Sequence, residues 1–119
     1  MPITDHKNYH FSFKMIDIKK IDPSPYQHRK YFDENSLREL GASIVLDGLI
    51  EPVIVRPQKK SRYQLIAGER RFRAIKDYTD YSAIQAKIAL VDDLQARRIS
   101  AAENLLREDL SAIESIGYH

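Results

Sequence analysis

"VIVRPQKKSRYQLIAGERRFRAI" occupies residues 53–75, and its reading decides the fold. "VIVR" (53–56) and "YQLIA" (63–67) are short apolar runs joined by the polar "PQKKSR", the pattern of two strands paired like a hairpin. The second run passes directly into Gly68 and a basic helix, in which Arg70, Arg71 and Arg73 crowd into four positions. A helix that opens on adjacent arginines puts positive charge where its own macrodipole is already positive. An anion must offset it, and the candidates are a neighbouring carboxylate, a nucleic-acid backbone or the phosphates of a small ligand.

Outward from this stretch, strand and helix alternate. "FKMIDI" (13–18) alternates apolar and polar side chains as a half-buried strand does. "DPSPYQHRKYF" (22–32) has prolines at 23 and 25, which remove donors and hold their neighbours extended, so it reads as a connection. "DENSLRELGASIVLDG" (33–48) is an amphipathic helix with an acidic start, Gly48 as a stop, and Leu37, Leu40, Ile44 and Val45 on one face. "AIQAKIALV" (83–91) reads as a strand. "DDLQARRISAAENLLR" (92–107) reads as a helix capped by Asp92 or Asp93, with Leu94, Ala101, Ala102 and Leu105 facing inward. The expected class is α+β, a small mixed sheet with packed helices, in one domain over 13–119 preceded by an extension over 1–12.

Composition narrows the function. At 119 residues, 43% hydrophobic and 30% charged, the chain suits one folded domain. It contains no cysteine, which excludes disulfides, thiolate metal sites and cysteine nucleophiles. No apolar run approaches the roughly 20 residues of a membrane span, and the polar start "MPITDHKNYH" lacks a signal-peptide core, so a cytoplasmic protein is expected. The formal charge of +2 is too small to argue for nucleic acid, and any such footprint must be local.

The strand, glycine and basic helix form a junction suited to phosphate. Helix N-terminal amides lack acceptors, Gly68 permits close backbone approach, and arginine offers bidentate donors shaped for phosphate oxygens. Neither a Walker loop nor a G-x-G-x-x-G fingerprint is present. The competing reading is solvated helix charge paired with Glu69 and Asp77. His6, His10, His28 and His119 show no metal-ligand spacing; Lys59, Lys60 and Arg62 read as solvated turn residues, and Tyr78 and Tyr81 as edge packing. The carboxylates of "FDENS" read as a helix start.

"GLIEPVIVR" (48–56), "GERRFRA" (68–74) and "ENLLREDLSAIE" (103–114) follow one another in the order and spacing of the three boxes of the ParB-family N-terminal domain, and "YQHRKYFDENSLRELGASI" resembles that family's lead-in. The resemblance implies the ParB/sulfiredoxin-like fold and a CTP-binding switch in partition or nucleoid-occlusion proteins. It implies that Gly68 admits the phosphates, that Arg70 and Arg71 grip them, and that Glu69 lies near the reacting end as the catalytic carboxylate. It further implies that Asn104 ligates Mg2+ with Glu103 beside it, that Arg107 supports the third box, and that Arg56 contacts the nucleotide. Read by residue chemistry alone, Glu103, Asn104 and Arg107 also suit an exposed helix end with an i, i+4 ion pair. His28 stands where the family usually has proline, which bears on base selection.

Implied partners are CTP, DNA, a second N-terminal domain on nucleotide binding, and a partition ATPase. The helix-turn-helix domain that follows the third box in DNA-loading relatives is not in these 119 residues, so weak, sequence-indifferent DNA binding is expected. Two alternatives stay open: an ATP- or ADP-dependent phosphotransferase or nuclease of the same fold, and a nucleotide-free DNA-binding or interaction domain. Sulfiredoxin chemistry is excluded by the missing cysteine.

Overall fold

The computed structural model describes residues 11–26, 32–48 and 51–103. Among the described residues five strands form one sheet: β1 (Phe11–Asp17), β2 (Ile21–Asp22), β3 (Val53–Pro57), β4 (Tyr63–Ala67) and β5 (Ala83–Ala89). Their spatial order is β1-β5-β3-β4-β2. The β1/β5 and β3/β4 pairs are antiparallel, whereas β3/β5 and β2/β4 are parallel, so the sheet is mixed. The helices are α1 (Glu34–Asp47), α2 (Glu69–Tyr78) and α3, helical over 93–103.

Strand alternation divides the core. Val53, Val55, Leu65, Ile84, Ala86 and Ile88 are buried in one cluster with Ile44 of α1 and Phe72 and Ile75 of α2. A second cluster joins Ile66 and Ala89 to Ala96 of α3, with Ile54 and Ile99 packed against it. α1 and α2 meet at Gly41, where an added Cβ would stand 3.1 Å from Tyr78 Cβ and 3.3 Å from Ala74 O. The helix starts obey local chemistry. Asp33 accepts from Ser36 N at 3.0 Å, and Asp92 and Gln95 exchange bonds at 2.8 and 3.1 Å as a capping box, which makes Asp92 the cap of α3.

Several expected details differ. Val45 is 56% exposed, so the apolar face of α1 is carried by Leu37, Leu40 and Ile44. The inward face of α3 is Ala96, Ile99 and Ser100, whereas Leu94, Ala101 and Ala102 are exposed; Leu105 lies outside the described residues. The phase follows from close approach, because small side chains let the helix sit on the sheet where Ala96 is fully buried. β1 begins at Phe11, inside the span read as an extension, and β5 ends at Ala89. Arg62 closes the turn and is partly exposed, as the turn reading expects, but it is also paired. Its Nη2 and Nε donate to the two Asp22 carboxylate oxygens at 2.6 and 3.0 Å, and Nη2 also donates to Lys19 O at 3.1 Å, which fastens β2 to β4. Lys59 and Lys60 are exposed in a 3-10 turn. Tyr78 packs beside the Phe32, Leu37 and Ala74 cluster, as the edge reading holds, and Tyr81 is exposed. No helix among the described residues is long and apolar enough to cross a membrane.

Candidate functional site

The site is built where β4 turns into α2. Gly68 adopts φ +97°, ψ +30°, a left-handed conformation that costs a side-chain-bearing residue energy. A Cβ there would lie 2.8 Å from Val53 Cγ1 and 3.3 Å from Val53 Cα. The glycine is therefore demanded by the fold itself, by the turn and by the packing of β3, before any ligand is considered. The N-cap position of α2 is Gly68 itself, which has no side chain to cap the helix. Its N-terminal end keeps the outward amides and partial positive charge of a helix start.

The three arginines divide the charge among different partners. Arg70 on α2 donates through Nη2 to Ser36 Oγ on α1. Arg73 donates to Glu69 Oε2 at 3.0 Å and lies over the Phe32 ring at 4.5 Å. Arg71 is nearly enclosed, with a side chain 13% exposed. Its Nη2 donates to Glu103 Oε1 at 3.2 Å, and its Nη1 lies 3.4 Å from Glu51 O and 3.5 Å from Glu51 Oε1. Its Nε is buried and has no hydrogen-bond partner among the described residues. Arg71 therefore ties together segments 48–56, 68–74 and the start of 103–114, with partners 20 and 32 residues away in sequence. The opening charge conflict is offset in part by Glu51 and Glu103, and one buried donor is left over.

Glu69 is 5% exposed, unusual for a carboxylate. Its Oε2 accepts from Arg73, and its Oε1 accepts from Ser24 N at 3.3 Å. It joins the first turn of α2 to the proline-rich loop. Arg56 is equally engaged, bonding Gln64, Tyr26, Asp93 and Val91 O, all of them protein groups. Asn104, Arg107 and His28 lie outside the described residues.

Phosphate suits this donor set, since a glycine-capped helix start, an adjacent backbone turn and an orphaned arginine N–H all seek an acceptor. Among the described residues no group of three His, Cys, Asp or Glu could hold a metal unaided. Magnesium arriving with a triphosphate needs only one or two protein oxygens, and Glu103 stands at the site to supply a carboxylate. The spacing of the boxes signalled Arg71 and Glu103. No local signal marked Tyr26 and Ser24, whose roles rest on contacts made 30 and 45 residues away.

Residues 4–105 match the ParB N-terminal domain. The chain is 46% identical over 100 residues to a probable chromosome-partitioning protein ParB of Campylobacter jejuni, covering 84% of this chain and 35% of that protein. It is 42% identical over 99 residues to stage 0 sporulation protein J of Bacillus subtilis, covering 83% and 34%. A nucleoid occlusion protein of Bacillus licheniformis is 36% identical over 113 residues, covering 94% and 40%. The chain thus spans between about a third and two fifths of the length of these curated relatives. Among solved structures, C-terminally truncated ParB of Caulobacter crescentus complexed with CTP-gamma-S superposes with a TM-score of 0.71 at 31% identity, over 80% of this chain and 53% of that one. Sulfiredoxin of Arabidopsis thaliana, at 24% identity over 73% of this chain and 94% of that one, shares the fold with a TM-score of 0.60. The α+β class agrees with these likenesses, and the chain belongs to the ParB N-terminal domain family.

Proposed function

We propose that this domain binds CTP with magnesium and serves as the nucleotide-controlled part of a ParB-like partition or nucleoid-occlusion protein. The observation that carries the reading is Arg71, a nearly enclosed guanidinium that joins the first two boxes to Glu103 at the start of the third and, among the described residues, keeps a buried Nε without an acceptor beside the glycine-capped start of α2. A triphosphate supplies the missing acceptor and the negative charge the helix end favours. Arg70 and Arg71 grip the phosphates, with Arg107 in support. Glu103 and Asn104 hold the magnesium, whose charge screens the phosphate oxygens. The Caulobacter relative's complex with CTP-gamma-S supports cytidine as the base.

Slow hydrolysis belongs to the same proposal, with Glu69 as the carboxylate nearest the reacting end. Nucleotide-driven association of two such domains, and a partition ATPase as a partner, follow from the partition role. DNA contact by these residues is backbone attraction, weak and salt-sensitive. The deciding experiment is calorimetric titration of CTP, ATP, GTP and UTP, each with magnesium. CTP is expected to bind most tightly. Equal affinity for ATP and CTP would overturn the cytidine preference in favour of the phosphotransferase reading, and no triphosphate binding would leave the interaction-domain reading.

A further inference from the structure

We propose that Arg56 is a positioning residue that fastens the proline-rich loop to the start of α3, so that a ligand steadied by the loop is felt at that helix. The inference rests on the nucleotide reading above and assigns Arg56 a place beside the ligand instead of upon it.

The geometry of one guanidinium carries it. Arg56 sits in β3 with a side chain 13% exposed. Nε donates to Gln64 Oε1 at 2.9 Å, and since Arg56 and Gln64 are paired in the β3/β4 register, this bond fixes the plane of the guanidinium from within the sheet. The other nitrogens point to two segments distant in sequence. Nη2 donates to Tyr26 Oη at 3.1 Å and to Asp93 Oδ1 at 2.6 Å, and Nη1 reaches Val91 O at 3.4 Å. Tyr26 and Val91 also pack against the Ile66, Ala89 and Ala96 cluster beneath α3. The same loop is held two residues earlier, where Ser24 N donates to Glu69 beside Gly68. The loop is thus slung between two anchors. One is the phosphate-facing start of α2, and the other is Arg56 with the entry to α3.

A merely stabilising ion pair would be poorly designed here. The Asp93 side chain is 82% exposed, so water and salt weaken its attraction to Arg56. What the planar fork does well is hold several acceptors in fixed relative positions, which lysine cannot do. Arg56→Lys keeps the charge and the stem but loses the fork. Tyr26→Phe keeps the ring in its cluster and removes only the acceptor.

Amide hydrogen exchange tests the junction without nucleotide. Arg56→Lys is expected to speed exchange by about tenfold at Tyr26 and, together with it, at Gln95 and Ala96 in the first turn of α3, while amides in β3 and β5 keep their protection. Acceleration at one segment alone, or equally at every amide, would overturn the proposal, the latter because it would mark general loss of stability. CTP with magnesium then tests transmission. It should slow exchange at Gln95 and Ala96 in the parent, and Tyr26→Phe should abolish that slowing and weaken CTP by roughly three- to tenfold, the range for a lost hydrogen bond, at a nearly unchanged melting temperature. Parental affinity with the slowing intact in Tyr26→Phe would overturn transmission. If the parent binds no triphosphate, the nucleotide reading fails, and the exchange pattern without ligand still decides whether Arg56 is the junction.

Discussion

Arg71 holds two carboxylates in different segments and keeps one buried donor unmet, so its removal bears on binding and folding alike. Arg71→Ala frees Glu51, already 79% exposed, to rehydrate at little cost, whereas Glu103, 26% exposed, loses a partner and the melting temperature falls with it. Charge-assisted phosphate bonds are worth roughly 1.5–3 kcal/mol each, so triphosphate affinity of the folded variant should fall at least about tenfold. An unchanged dissociation constant would return the arginines to plain surface charge. Glu69 differs, because its carboxylate is buried between Ser24 N and Arg73. Glu69→Ala leaves those donors without an acceptor, costing roughly 1–3 kcal/mol and several degrees of melting temperature. The proposal adds that the folded variant still binds CTP but releases no phosphate. Phosphate release at the parental rate per folded molecule would remove Glu69 from the chemistry and leave it as the anchor of the loop. Sequence made the residue types legible here, since adjacent arginines after a glycine pose a charge problem on any fold. Their partners were not legible, because the Arg71 to Glu103 and Ser24 to Glu69 bonds span 32 and 45 residues and exist only once the sheet has formed.

At the scale of elements, the start of α2 shows how a phosphate-ready turn is also a structural necessity. Gly68→Ala would add a Cβ 2.8 Å from Val53 Cγ1 and place alanine at φ +97°. The backbone conformation alone costs on the order of 1–2 kcal/mol. Trimming the neighbour by Val53→Ala should not restore stability, since the contact with Val53 Cα at 3.3 Å and the strained φ both remain and a buried side chain is lost. A double variant that melts at the parental temperature would show that only the Cγ1 contact mattered. α3 illustrates the limit of periodicity. The strands β3 and β4 were legible as short apolar runs and α1 by its apolar spacing, whereas α2 was read from the glycine and basic residues that follow a strand. In α3 the larger apolar Leu94 faces solvent, whereas Ala96 is buried, because close packing on the sheet selects small side chains over hydrophobic ones. A hydrophobicity count alone cannot anticipate that choice. β2 escaped for a different reason: two residues are too few to display a period, and its pairing with β4 is parallel and remote in sequence.

Across the whole molecule, the chain must bring β2 to the far edge of a sheet whose other edge is β1, and the bidentate Arg62 to Asp22 pair secures that last strand to β4. The hydrogen bond from Arg62, with its charge, holds the Asp22 carboxyl below its ordinary value of 3.8, and the same bond raises Arg62. The sign of the pH dependence follows. A carboxylate whose folded pKa is depressed contributes stability that is fully present above its unfolded value and is lost as pH falls through the folded one. The contribution should therefore be constant through neutral pH and fade below about pH 4. Raising the salt concentration should weaken it at neutral pH, because both groups are substantially solvent-accessible. Asp22→Asn removes the titrating group while keeping an acceptor oxygen. Its melting temperature should lie below that of the parent at pH 7, and the gap should narrow in high salt and shrink as pH falls below about 4. Melting curves of both proteins across that range decide it. A gap as wide at pH 3 as at pH 7 would mean that the charge of Asp22 contributes nothing and that shape alone holds β2 in place.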